Sequence, residues 1–203
     1  MLRSGILNSQ KMRVAILLQS RAMAHVFDKA ETLARREIWN GSVGRFGEED
    51  IALPDGRHFT LGILKHPGAC AVVPVLDDGR VVLLRQYRHA VRQTLWEVPA
   101  GKLDPGETLE RCAVRELKEE TGYSAGELVS LGAICVTPGY SDECIHLFLA
   151  RQLCRGAQEL AANESIVCVE LPYAQALRMA EEGEVSDAKT AIALLRARRV
   201  LLG

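Results

Sequence analysis

The chain has 203 residues, with 25 Lys+Arg against 26 Asp+Glu and a formal net charge of -1. That balance excludes a polybasic nucleic-acid binder and an acidic solvating tail. Hydrophobic residues at 48% and charged residues at 25% exclude a disordered chain and leave room for one full core.

Residues 1–36 read as a helical or flexible leader without site chemistry. Through Val26 it holds Arg3, Lys11, Arg13 and Arg21 and no acid. Its apolar run, Val14 to Leu18, is shorter than the roughly 7–15 residues of a secretory core. Residues 37–64 change character. Gly41, Gly44, Gly47 and Pro54-Asp55-Gly56 punctuate short runs, which predicts a small meander of strands. Residues 65–203 read as the main domain. Val72 to Leu76, Asp77-Asp78-Gly79 and Val81 to Arg88 predict a β-hairpin. Trp96 to Val98 is a short strand, and Leu109 to Thr121 a helix stopped by Gly122. Leu128 to Val136, Cys144 to Ala150 and Ile166 to Leu171 are further strands. Two helices close the chain, Tyr173 to Glu182 and Asp187 to about Leu201, with Ser186 as the expected N-cap of the second. Strands in the middle and helices at the end make this a mixed α+β chain.

Six cysteines occur, at 70, 112, 135, 144, 154 and 168, with no C-x-x-C pair and no zinc-finger spacing. Free thiols in a reducing cytoplasm are the expectation. No apolar run approaches the ~20 residues of a membrane span, so no membrane partner is expected.

The chemistry concentrates on one helix. At 100° per residue from Leu109, Ala113, Glu116 and Glu120 fall within about 40° of it, and Glu119 at the edge of that stripe. Two carboxylates therefore occupy the middle of an apolar, core-facing face. Ionised acids are rarely buried alone, and two of them one turn apart repel. A hard divalent cation removes both costs and can also hold substrate phosphates.

The segment Gly101-Lys-Leu-Asp-Pro-Gly-Glu107, seven residues, then Arg115-Glu116-Leu117-Lys118-Glu119-Glu120-Thr121-Gly122-Tyr123 resembles the signature of the Nudix hydrolases, G-x5-E-x7-R-E-U-x-E-E-x-G-U, where U is a bulky aliphatic. All seven fixed positions match, and only Tyr123 departs, in the last U place. A chance match in such a chain is about one in a million. The resemblance implies an α/β/α sandwich with a mixed sheet and cleavage of nucleoside diphosphates linked to another moiety, with Mg²⁺ or Mn²⁺. It implies Glu116 and Glu120 as metal ligands, Glu119 as a third, the Ala100 carbonyl as a fourth, and Arg115 holding the loop through Glu107.

The segments Leu84-Arg85-Gln86-Tyr87-Arg88, Trp96-Glu97-Val98-Pro99-Ala100-Gly101, Thr137-Pro138-Gly139-Tyr140-Ser141-Asp142-Glu143 and Asp187-Ala188-Lys189-Thr190 are similar to the ADP-ribose pyrophosphatase subfamily. Pro138 stands sixteen residues after Gly122, about where that subfamily has a proline. Strand alternation puts Arg85 and Arg88 on opposite faces, so both cannot reach one diphosphate without a bulge. Arg88 matches the family's phosphate-contacting arginine. For the general base, Glu164 in the loop before Ile166 is the first choice, with Glu143 or Glu120 as substitutes. Trp39 and Phe46 are the aromatic candidates to stack on adenine. His66 and His89 are read as non-ligands. The subfamily resemblance implies a homodimer in which the N-terminal meander reaches the partner's site. The expected reaction is Mg²⁺-dependent hydrolysis of ADP-ribose to AMP and ribose 5-phosphate. Rivals are a GDP-mannose or other nucleotide-sugar diphosphatase, a non-catalytic nucleotide sensor, and an RNA cap hydrolase. The full acid set disfavours the sensor, and the neutral charge disfavours RNA as a partner.

Overall fold

The computed structural model describes residues 29–160 and 165–202. The chain divides between Leu64 and Lys65 into two compact units.

The first unit is a three-stranded sheet of β1 (Glu31–Gly41), β2 (Gly44–Ala52) and β3 (His58–Lys65), in that order. β1 runs antiparallel to β2 and places Trp39 opposite Phe46. It starts inside the stretch read as a leader, so residues 31–36 are strand. Residues 1–28 lie outside the described residues. Helix-compatible residues such as Ala34, Arg35 and Arg36 take strand geometry through cross-strand partners. Arg35 pairs with Glu49 at 2.6 Å and Arg36 with Glu48. Such pairs override a weak local propensity.

The second unit holds two sheets and three helices. β4 (Ala69–Pro74), β5 (Arg80–Arg88), β6 (Gln93–Glu97) and β7 (Ala100–Lys102) precede α1 (Leu109–Thr121). β8 (Tyr123–Cys135), β9 (Cys144–Arg155) and β10 (Ile166–Pro172) follow, then α2 (Tyr173–Glu181) and α3 (Ala188–Leu201). One sheet has the order β7-β4-β9-β8, with β4 parallel to β9 and the other pairs antiparallel. The other is antiparallel, in the order β10-β5-β6.

The expected hairpin of β4 and β5 forms only at its turn. There the Gly79 amide donates to the Leu76 carbonyl at 2.9 Å and the Leu76 amide to the Arg80 carbonyl at 2.8 Å, but the pairing stops at the Val75–Val81 bridge. β4 already has β7 and β9 as neighbours, so no edge remains for β5. The chain passes from one sheet into the other at this turn.

Alternation along β4 and β9 builds the layers. Ala71, Val73, Ile145, Leu147 and Leu149 pack with α2 and α3 residues such as Leu177 and Leu194. Cys70, Val72, Phe148 and Ala150 face the opposite way, against Cys112, Ala113 and Leu117 of α1. This period-two division puts helices on both faces of a mixed sheet and makes the unit an α/β/α sandwich.

Both helices that carry site residues are capped. The Thr108 hydroxyl accepts from the Arg111 amide at 3.3 Å, and Gly122 ends α1 at φ 77°, with its amide donating to the Lys118 carbonyl at 2.8 Å. A side chain at Gly122 would also meet the Gly156 carbonyl at 2.8 Å, so conformation and space both require glycine. α3 is capped by Asp187, not by the expected Ser186. The Asp187 carboxylate accepts from the Thr190 amide at 3.0 Å and from its hydroxyl at 2.5 Å.

Candidate active site

Glu116 and Glu120 are one helical turn apart on α1, and the fold buries both, at 8% and 4% exposure. Each rests against β7. A Cβ on Gly101 would lie 1.9 Å from Glu116 Oε1, so only glycine lets that carboxylate approach the strand. Glu120 Oε2 accepts from the Ala100 amide at 2.8 Å.

Arg115 ties the helix to the preceding loop. Its Nε and Nη2 each donate to the Glu107 carboxylate at 2.9 Å, and Nη2 also donates to the Lys102 carbonyl at 3.0 Å. Nη1 reaches Glu116 at 2.6 Å and Glu119 at 3.2 Å. The Arg115 hydrogen bonds hold the Glu107 carboxyl well below its ordinary value, down to about 2, and Glu107 in turn raises Arg115.

These acids open onto a cleft of ≈ 480 Å³. Its lining includes Ala100, Gly101, Glu116, Glu120 and Glu143, and also Gln86, Arg88, Asp187 and Lys189. Arg88 and Lys189 form one linked group around Glu97, which is 1% exposed. Arg88 donates through Nε and Nη2 to the two Glu97 oxygens, both at 2.7 Å. Lys189 Nζ donates to Glu97 Oε2 at 2.5 Å and pairs with Asp187 Oδ1 at 3.0 Å. Burial pushes the Glu97 carboxyl up, but the Arg88 hydrogen bonds and the Lys189 charge outweigh it, and the group sits below its ordinary value. The Thr190 hydroxyl accepts from the Val98 amide at 2.9 Å, which fastens the start of α3 to the end of β6.

Glu143 reaches the cleft from the loop between β8 and β9. Its amide donates to the Ser141 hydroxyl at 3.1 Å. His66 stands beside it, with Nε2 3.8 Å from a Glu143 oxygen and Nδ1 accepting from the Gly68 amide at 3.1 Å. Asp142 of the same loop accepts from the His66 amide at 2.8 Å.

Several sequence candidates are not among the residues that line the cleft. Arg85 does not line the cleft; its guanidinium stacks over Trp96, 4.6 Å from the ring centroid. Glu119 is also outside the lining and is held by Arg115. Pro138 is in its loop and does not line the cleft. Trp39 and Phe46 are exposed side by side on the first unit's sheet. Glu164 lies outside the described residues.

Reading the sequence missed Lys189, Asp187 and Gln86 as cleft residues, and Glu97 as the buried carboxylate behind them that joins Arg88 to Lys189. Glu97 did leave a signal, as an acid inside the strand Thr94-Leu95-Trp96-Glu97-Val98. Its partner Lys189 is 92 residues away, beyond any local pattern.

Among the described residues no three acids, histidines or cysteines are already gathered as a metal cage. The donor set nevertheless fits a hard divalent cation. Two buried carboxylates share one wall, a glycine admits one of them to the strand, and the cleft leaves space for water and phosphate oxygens.

The comparisons agree with this geometry. A sequence profile described as the NUDIX domain matches residues 64–194. The chain is 42% identical over 166 residues to an ADP-ribose pyrophosphatase of Bacillus subtilis (strain 168), covering 81% of this chain and 90% of that one. It is 35% identical over 174 residues to a methanol dehydrogenase activator of Bacillus methanolicus, covering 85% and 94%. It is 40% identical over 160 residues to a GDP-mannose pyrophosphatase of Escherichia coli O1:K1 / APEC, covering 71% and 82%. A solved structure described as an ADP compounds hydrolase shares the fold, with a TM-score of 0.76 at 24% identity, over 87% of this chain and 96% of that one. The Gly101-to-Tyr123 segment, the layered fold and these likenesses converge: the chain belongs to the Nudix family, as an ADP-ribose pyrophosphatase-like hydrolase of phosphorus-containing anhydrides.

Proposed function

We propose that the protein hydrolyses the diphosphate bond of ADP-ribose, with Mg²⁺, to AMP and ribose 5-phosphate. The observation that carries the reading is the two-walled cleft, with Glu116, Glu120 and Glu143 facing a space that Arg88 and Lys189 also line. A diphosphate is anionic along its length, so it needs cations on one side and metal-neutralised acids on the other. Glu116 and Glu120 would hold the cation, with Glu119 and the Ala100 carbonyl as further donors. When bound, the cation supplies charge neutralisation and a more acidic water. Mn²⁺ suits the same donors.

Arg88 orients the substrate. Glu97 occupies its Nε and Nη2, which leaves the Nη1 edge for a phosphate oxygen. Arg115 keeps the loop and helix in register. Proton removal from the attacking water falls to Glu164 or to the cleft acid Glu143, with Glu120 as the remaining choice.

Trp39 and Phe46 would stack on the adenine, and we read the molecule as a homodimer joined through the first unit. Leu33, Ile38, Trp39, Phe46, Phe59 and Leu61 are all exposed on that small sheet, a large apolar area for a free monomer. No helix among the described residues is long and apolar enough to cross a membrane. The six free thiols suit a reducing compartment, and we place the protein in the cytoplasm.

Product analysis tests the reading. Purified protein with Mg²⁺ is incubated in parallel with ADP-ribose and GDP-mannose, and the products are separated by chromatography. Fast release of AMP from ADP-ribose is expected. Preference for GDP-mannose would keep the chemistry and replace the substrate.

A further inference from the structure

The cleft's cationic wall contains one more charge than a single phosphate contact needs. Arg88 and Glu97 alone would form a closed pair, with one guanidinium and one carboxylate in bidentate contact. Such a pair has no net charge to offer an anion. Lys189 adds a second cation and Asp187 a second anion, so the four groups still sum to zero and what matters is where each charge sits. Its ammonium reaches the same Glu97 oxygen that accepts from Arg88 Nη2.

Lys189 is poorly placed to touch substrate itself. Its side chain is only 12% exposed, and Nζ is bracketed by Glu97 and Asp187. The Arg88 side chain is 42% exposed and retains its Nη1 edge. Asp187 is partly occupied in turn, because its Oδ2 caps α3 and faces that helix's positive end. The enclosed lysine thus takes up part of the Glu97 charge and leaves the exposed arginine less neutralised than in a closed pair. Glu97 and Lys189 are themselves enclosed, so this effect is less screened than between surface charges.

We propose that Lys189 is a positioning residue for the diphosphate, which shares the buried Glu97 carboxylate with Arg88 and so keeps the Arg88 guanidinium oriented and incompletely neutralised at the cleft wall. The inference rests on the diphosphatase reading for the identity of the anion. It adds a role for Lys189 beyond lining the cleft.

Charge compensation separates this role from simple packing. Lys189→Gln removes one positive charge and leaves Arg88 and Glu97 as a closed pair. Adding Glu97→Gln restores the original net charge, with Arg88 still able to donate to the amide oxygen that replaces the carboxylate. The measurement is calorimetric titration of inorganic diphosphate, with Mg²⁺, into the full chain. Lys189→Gln should weaken binding about tenfold, a loss of roughly one charge-assisted contact. Lys189→Arg should bind within about threefold of the parent. Lys189→Gln/Glu97→Gln should regain most of the loss. In an Arg88→Gln background, Lys189→Gln should change affinity by less than about twofold, because the lysine acts through that arginine.

Parent-like binding by Lys189→Gln would overturn the proposal. So would an undiminished loss in the Arg88→Gln background, or no regain in the paired variant. If Lys189→Gln alone does not fold, the paired variant decides, since it leaves no uncompensated buried charge at position 97; a tenfold deficit there sinks the idea. ADP-ribose turnover by the parent is measured alongside. The expected binding pattern without AMP release would remove the substrate and keep the positioning role. Rapid AMP release with parent-like diphosphate binding by Lys189→Gln would do the reverse.

Discussion

Gly101 shows how much of the site depends on one missing methyl group. A Cβ there would overlap the Glu116 carboxylate, the movable end of its side chain, with Glu116 Oε1 at 1.9 Å. The fold can absorb that clash only by moving the acid. Gly101→Ala should therefore lower turnover by about 100-fold or more while shifting the melting temperature by only a few degrees; a fully active variant would detach Glu116 from the metal assignment. Glu120→Gln should abolish turnover with the fold and nucleotide binding retained, checked by rate assay and circular dichroism. Glu116 and Glu120 were legible because their spacing alone puts carboxylates on a buried helix face. Glu97 and Lys189 were not legible, because their meaning lies in a contact between β6 and α3 that only the folded chain makes. Arg85 and Arg88 sit between these cases. Alternation separated them correctly onto two faces, and Trp96, which claims Arg85, shows which face is unavailable to the cleft.

Among the elements, α1 and its preceding loop behave as one unit because Arg115 bonds to both. The Glu107 carboxyl lies below its ordinary 4.5, at about 2. A depressed acid contributes stability that is complete above its unfolded value and lost as pH falls through its folded one. The Glu107 contribution should therefore be present above about pH 4.5 and fade towards about pH 2. Denaturant midpoints for the parent and Glu107→Gln should differ at neutral pH and converge in acid; a constant gap would remove the ion pair as the cause. For α3, Asp187→Ala should cost about 1–2 kcal/mol of unfolding free energy by losing the cap, read from urea titration. Helix α1 and its Gly122 stop were legible from periodicity and a terminal glycine. The two-sheet arrangement was not. Alternating apolar residues beside a tight turn announce neighbouring strands, yet cannot tell whether each strand's edges are already taken.

For the whole molecule, the first unit exposes apolar side chains that its own three strands cannot cover, since every residue of β1 is exposed. Sedimentation velocity should give a dimer for the full chain. Trp39→Ser with Phe46→Ser should raise the dimer dissociation constant by about tenfold or more, as expected for aromatic anchors. A monomeric parent would end the dimer reading. The mixed α+β class and the α/β/α layering were legible from element order and the signature segment. The start of β1 was not, because Glu31 to Arg36 carries no strand preference and is held by acids on β2.

The distance along the chain between Glu97 and Lys189 also bears on how the protein is made. Synthesis runs from the N-terminus, and α1 with its acids leaves the ribosome well before α3. The acids of the cleft are thus translated before the lysine that shares Glu97. Loss of α3 would leave Arg88 and Glu97 closed on each other and Val98 without its Thr190 acceptor. One helix thus serves the core through Leu194 and the cleft through Lys189, so damage to its packing is also damage to the site.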